Sequence, residues 1–139
     1  MTTTMTVAAL EERTGITIDE HLIRSVEIPV LAGVPQRQGD ILFIPEIPTL
    51  AASTPIPAAG YPVVRGENGG NTHALHTDRG RAYYDPATRD GQRLGVLTVE
   101  ADSVAILSHP EHGFMAFGPG TYIVNRQREQ ADAIRMVQD

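Results

Sequence analysis

The spacing of apolar positions changes character near residue 29. Ahead of it, Ile18, Leu22, Ile23 and Val26 recur at helical intervals and would share one face. Thr6 is placed to cap a first turn running from Val7 to Arg13, and Gly15 suits the exit. Thr17-Ile18-Asp19-Glu20 has the form of a capping box, in which the Thr hydroxyl and Glu carboxylate satisfy each other's backbone donors; Pro29 stops the helix it would open. Residues 1–28 are therefore expected to be a helical segment packed on a domain formed by residues 29–139.

Beyond Pro29 the helical period disappears. Pro35 to Asp40 is polar, with the turn dipeptide Gly39-Asp40, and Ile41-Leu42-Phe43-Ile44 is a continuous apolar run that predicts a strand buried on both faces. Pro45, Pro48, Pro55, Pro57 and Pro62 exclude a helix or central strand, so Pro45 to Gly60 is expected to be a long surface loop, functional or mobile. Tyr61 to Arg65 predicts a strand closed by the Gly66 to Gly70 turn. Asn71 to Thr77 and Arg81 to Tyr84 predict two strands around Asp78-Arg79-Gly80. Leu94 to Glu100 and Ser103 to Ser108 form the clearest predicted hairpin, bent at Ala101-Asp102. Phe114 to Phe117 and Thr121 to Gln127 form another, turned at Gly118-Pro119-Gly120. The tail, Ala131 to Val137, reads as a last strand or a helical turn. Consecutive hairpins predict a mainly β fold: a small antiparallel β-barrel or β-sandwich with a short N-terminal helical segment, one domain overall.

Composition narrows this picture. A chain of 139 residues can bury a core without staples, and it has no cysteine, which excludes a disulfide framework, a thiolate metal site and a thiol nucleophile. With no Trp, three Phe and four Tyr, the core must rest on Val, Ile, Leu and Ala. A net charge of −6 argues against broad capture of nucleic acid. No apolar run reaches the roughly 20 residues that span a bilayer, and the start lacks the basic and apolar regions of a signal peptide. The expected location is the cytoplasm, with a phage-infected host cell or a virion as equivalent settings.

The candidate chemistry lies with histidine. Four of the five histidines form two pairs, His73 with His76 and His109 with His112. Side chains alternate across a strand, so His73 and His76 should point to opposite faces. His109-Pro110-Glu111-His112 is different, because Pro110 ends a strand and a turn lets both imidazoles converge. A metal site would need His73 or His76 to meet His109, His112 or Glu111 across the fold; the set favoured is His73, His109 and His112, with Glu111 as a further ligand or as a base. The alternative is that these histidines hydrogen-bond at loop edges and stabilise turns. No Gly-x-Ser-x-Gly elbow is present, and the glycines after Glu67 lack the Lys-Ser/Thr of a phosphate loop. Arg126 and Arg128 would share a strand face; they read as a patch for a carboxylate or phosphate, as intramolecular ion pairs, or as an inter-subunit contact.

Gly39-Asp40-Ile41-Leu42, the segment Gly66 to His73, the turn His109 to His112 and the segment Pro119 to Glu129 together resemble a group of short bacterial and phage proteins without established function. Its shared motifs are Gly-Glu-x-x-Gly-His-x-His, His-x-Glu-His and a closing strand ending Arg-Gln-Arg-Glu. The resemblance covers roughly the last two-thirds of the chain. Asn71 stands where that group has the first histidine of its His-x-His, and Asn is a poor ligand for a transition metal. More loosely, the pattern is similar to the cupin arrangement of a small β-barrel with a His-x-His segment and a later histidine, although the cupin glutamate has no counterpart. The function expected first is a non-enzymatic β-domain, phage- or mobile-element-associated, that acts by forming a homo-oligomer or binding a protein partner, without a cofactor. The alternative is a cupin-like metal-dependent small-molecule enzyme that holds one divalent transition metal at His73, His109 and His112.

Overall fold

The computed structural model of the chain describes residues 3–18, 27–46, 50–65, 72–87 and 93–126. The expected helix through Leu22, Ile23 and Val26, the Gly66 to Gly70 turn, Asn71, Arg128 and the tail lie outside these residues.

Local signals fix the N-terminal helix. Thr6 Oγ1 accepts the Ala9 N–H at 3.1 Å, and Gly15, at φ 73°, donates its N–H to Glu11 O. Between these caps runs α1 (Val7–Thr14), preceded by β1 (Thr3–Thr6). Ten strands follow: β2 (Glu27–Leu31), β3 (Gln36–Gln38), β4 (Ile41–Pro45), β5 (Tyr61–Val64), β6 (His73–Arg79), β7 (Ala82–Pro86), β8 (Arg93–Val99), β9 (Val104–His109), β10 (Gly113–Phe117) and β11 (Gly120–Arg126). They make two sheets, ordered β1-β2-β10-β9-β6-β5 and β3-β4-β11-β8-β7. The fold is mainly β, as the sequence predicts, and neighbouring strands are antiparallel except for the parallel pair β2–β10. Among the described residues no helix is long and apolar enough to cross a membrane.

The two sheets enclose one core, built from Ile41, Phe43, Leu75, Tyr84, Leu97, Leu107, Phe117, Tyr122 and Val124. A second cluster lies on the outer face of the six-stranded sheet, where Val7 and Leu10 of α1 join Ile18, Ile106 and Phe114. Strand β9 is consequently buried along its whole length: Ala105 and Leu107 face the core between the sheets, Ile106 faces the helix. Two-sided burial was expected of Ile41 to Ile44; there, Ile41 and Phe43 are buried and Leu42 and Ile44 only half-buried.

The connections differ from the predicted hairpins. The strands on either side of Gly80, of Ala101-Asp102 and of Gly118-Pro119 each lie in opposite sheets, so β6–β7, β8–β9 and β10–β11 are corners between layers. Gly80 (φ 72°) and Asp102 (φ 58°) supply the left-handed bend that two of these corners need. Two of the corners also lock together, the Arg81 N–H donating to Ser103 Oγ at 2.8 Å. Hairpin pairing falls elsewhere, including β9 with β10 around the His109 to His112 turn. The polar stretch before Asp40 contains a short strand, β3, as well as a turn. Pro29 lies within β2, paired with Thr4 of β1 but outside the short ladder to β10, which takes only Val30 and Leu31.

The described part of the proline-rich segment, residues 50–60, is a tethered strap rather than a free loop. The Ala52 N–H donates to Thr98 Oγ1 at 2.8 Å, and the Ser53 and Thr54 N–H groups donate to the Asp85 carboxylate at 3.1 and 2.9 Å. Thr54 O accepts the Tyr84 N–H, Ile56 N–H donates to Ala82 O, and Ile56 is buried in the core. Without regular secondary structure, the strap caps the outer edge of β7.

Candidate metal centre

The ladder between β6 and β9 places the first pair of imidazoles. Leu75 pairs with Leu107 and Ala74 with Ser108, so one further step sets His73 beside His109. Their rings lie 4.2 Å apart between centroids. At the end of β9 the chain turns back: His109 Nδ1 accepts the N–H groups of Glu111 at 3.0 Å and His112 at 3.1 Å, and Gly113 (φ 89°) leads into β10. This turn brings the His112 ring to 4.4 Å from His109 and 5.8 Å from His73. One potential ligand nitrogen from each ring falls within 4.8 Å of the other two; His73 and His109 are buried and His112 is exposed.

Gln38, at the end of β3, orients His73. Its Nε2 donates to Gly113 O at 3.2 Å, which turns its Oε1 toward His73 Nδ1 at 2.9 Å. An amide oxygen only accepts, so Nδ1 carries the proton and the His73 Nε2 lone pair is left for a ligand. Gly39 (φ 60°) closes the floor: a Cβ there would sit 3.1 Å from His112 Nε2 and 3.5 Å from His73 Cε1. Burial, reinforced by His109 and His112, lowers the His73 pKa to about 4. Asp40 opposes that shift and Arg126 adds to it. His73 is therefore a neutral imidazole at physiological pH, the form that ligates metals.

His109 is prepared differently. Its Nδ1 lone pair is taken by the two turn amides, so in the neutral ring Nε2 holds the proton. To ligate, this ring must give up the turn bonds or its Nε2 proton.

The strand-parity argument holds for the remaining pair. His76 faces away from His73, toward the helix side, where its Nε2 lies 3.1 Å from Ser108 Oγ and burial lowers its pKa. Its ring packs on Gly60, where a Cβ would approach within 2.6 Å. Glu111 sits in the exposed turn and contributes its backbone N–H to His109. Arg126 ends β11 opposite Ile41, with its Nε 3.9 Å from Asp40. Sequence reasoning named the three histidines and Arg126 but missed Gln38 and Asp40. Gln38 lies in a segment that reads as a polar turn, and nothing in its spacing marks it as buried.

A family model for a domain of unknown function, DUF8820, matches residues 37–127, and the chain belongs to that family. The matched span takes in Gln38, all three histidines and Arg126. No curated protein and no solved structure matches the chain.

Proposed function

We propose that this domain binds one divalent transition-metal ion through His73, His109 and His112 and presents an open coordination position to a small molecule. The observation that carries this reading is the convergence of three imidazoles from β6, β9 and the following turn, with ligand atoms within 4.8 Å of one another. Imidazole nitrogens suit zinc, iron, manganese and nickel. Three protein ligands leave one position of a tetrahedral site for water or substrate, and a metal there lowers the pKa of its bound water. His112 is exposed, so that position would meet solvent. The reaction class is metal-assisted activation of water or of a coordinated small molecule, with Glu111, in the same turn as His109 and His112, as the candidate base.

Self-assembly, the function expected first, draws less support. The edge strand β5 contains Pro62, the edge of β7 is covered by the strap, and β3 is three residues long. Each of these features guards a sheet edge.

Elemental analysis of chelator-treated protein reconstituted with zinc or cobalt tests the metal reading. One ion per chain is expected, with occupancy lost in His73→Ala and in His109→Ala while both variants keep the wild-type far-UV spectrum. Folded protein that takes up neither metal refutes it.

A further inference from the structure

Beside the histidines lies a polar group that the fold leaves incomplete. Arg126 Nε is buried and, among the described residues, has no hydrogen-bond partner. The Asp40 carboxylate, with which it pairs among the described residues, is 3.9 Å away, beyond hydrogen-bonding distance. A buried N–H without an acceptor costs about 1–3 kcal/mol, so such a group calls for an explanation. The location supplies one. Asp40 follows Gly39, where a Cβ would sit 3.1 Å from His112 Nε2 and 3.5 Å from His73 Cε1, and the charges of Asp40 and Arg126 are both felt at His73. A second guanidinium, that of Arg37, donates to Gly39 O at 3.0 Å on the same hairpin. Planar guanidinium groups match the paired oxygens of carboxylates and phosphates.

We infer that Arg126 is the anchor for an oxyanion group of the small molecule that occupies the histidine site, so that the ligand is a carboxylate- or phosphate-bearing compound held between guanidinium and metal. The inference rests on the metal reading above and adds the chemical class of the ligand. Asp40 then acts as an internal stand-in: it partly neutralises Arg126 until an external oxyanion takes its place.

The test uses the full chain loaded with cobalt(II), whose visible spectrum reports ligands entering the metal's coordination sphere. Cobalt content is measured first, then oxalate, succinate and inorganic phosphate are titrated as anionic probes and imidazole as a neutral one. At least one anion is expected to perturb the spectrum. Arg126→Gln should weaken that anion tenfold or more, and Arg126→Lys by less, with cobalt content and imidazole affinity unchanged. Asp40→Asn should tighten the same anion, because it removes the competitor; a purely structural ion pair would not give opposite effects at its two ends. Preference for oxalate or succinate identifies a carboxylate ligand, and preference for phosphate a phosphorylated one. Cobalt-loaded protein whose anion affinities ignore Arg126, or fall in parallel with imidazole affinity, overturns this inference and leaves the metal reading standing. Protein that binds no cobalt overturns both.

Discussion

Gln38 illustrates how much of a site can depend on a side chain that is not itself a ligand. Its amide is polarised in one direction by Gly113 O, and that direction decides which nitrogen of His73 carries the proton. Partners of this kind typically contribute 10–100-fold to metal affinity. Gln38→Leu is therefore expected to weaken zinc binding by about that factor in a chelator-competition titration, with the fold intact; unchanged affinity would mean that packing alone orients His73. Asp85 works at the same scale away from the site. Hydrogen bonds from the Thr54 hydroxyl and N–H, and then from Ser53, hold its carboxyl below the usual carboxylate value. The group titrates lower folded than unfolded, so its contribution is complete above about pH 4 and is lost as pH falls through the lowered value. Asp85→Asn should cost about 1 kcal/mol at pH 7 and nearly nothing in strong acid, where the wild type has lost the same clasp. Urea unfolding at the two pH values measures the difference. Both histidine pairs were legible from strand parity and from Pro110. Gln38 was not, because a polar residue in a short polar run carries no mark of the tertiary partner that buries it.

The element that sets the site's rigidity is β9, held by β10 and β6 at its sides, by the core beneath it and by α1 above it. Leu10 is the fully buried residue of α1 in that contact. Leu10→Ala is expected to destabilise the protein by about 2–5 kcal/mol, as buried Leu truncations do. Thr6→Ala, which removes only the cap, should cost about 1 kcal/mol. Equal losses for the two in thermal or urea unfolding would show that α1 contributes propensity rather than cover. The cap was readable because its determinants, Thr6 and Gly15, are local. The corners were not readable for the opposite reason. Gly80, Asp102 and Gly118-Pro119 send the same signal whether the chain reverses within a sheet or crosses to the other layer, and only the packing of two sheets around Phe43, Leu107 and Tyr122 decides between them.

At the scale of the molecule, the layers close through strands far apart in sequence. Arg126 at the end of β11 pairs with Ile41 at the start of β4, and β3 extends that same sheet. Fold class was legible in the spacing of apolar runs and turns; the strand order was not, because pairing across that distance leaves no periodic trace in sequence. This closure also sets when the site can exist. Gln38 arrives on β3, His73 on β6, His109 on β9 and Arg126 on β11, so no early local turn or hairpin contains the whole constellation. Chains dominated by such non-local pairings have high contact order and fold in milliseconds to seconds rather than microseconds. During refolding, metal-binding competence should thus lag behind the recovery of strand signal, which makes the ion a reporter of the last contacts to form.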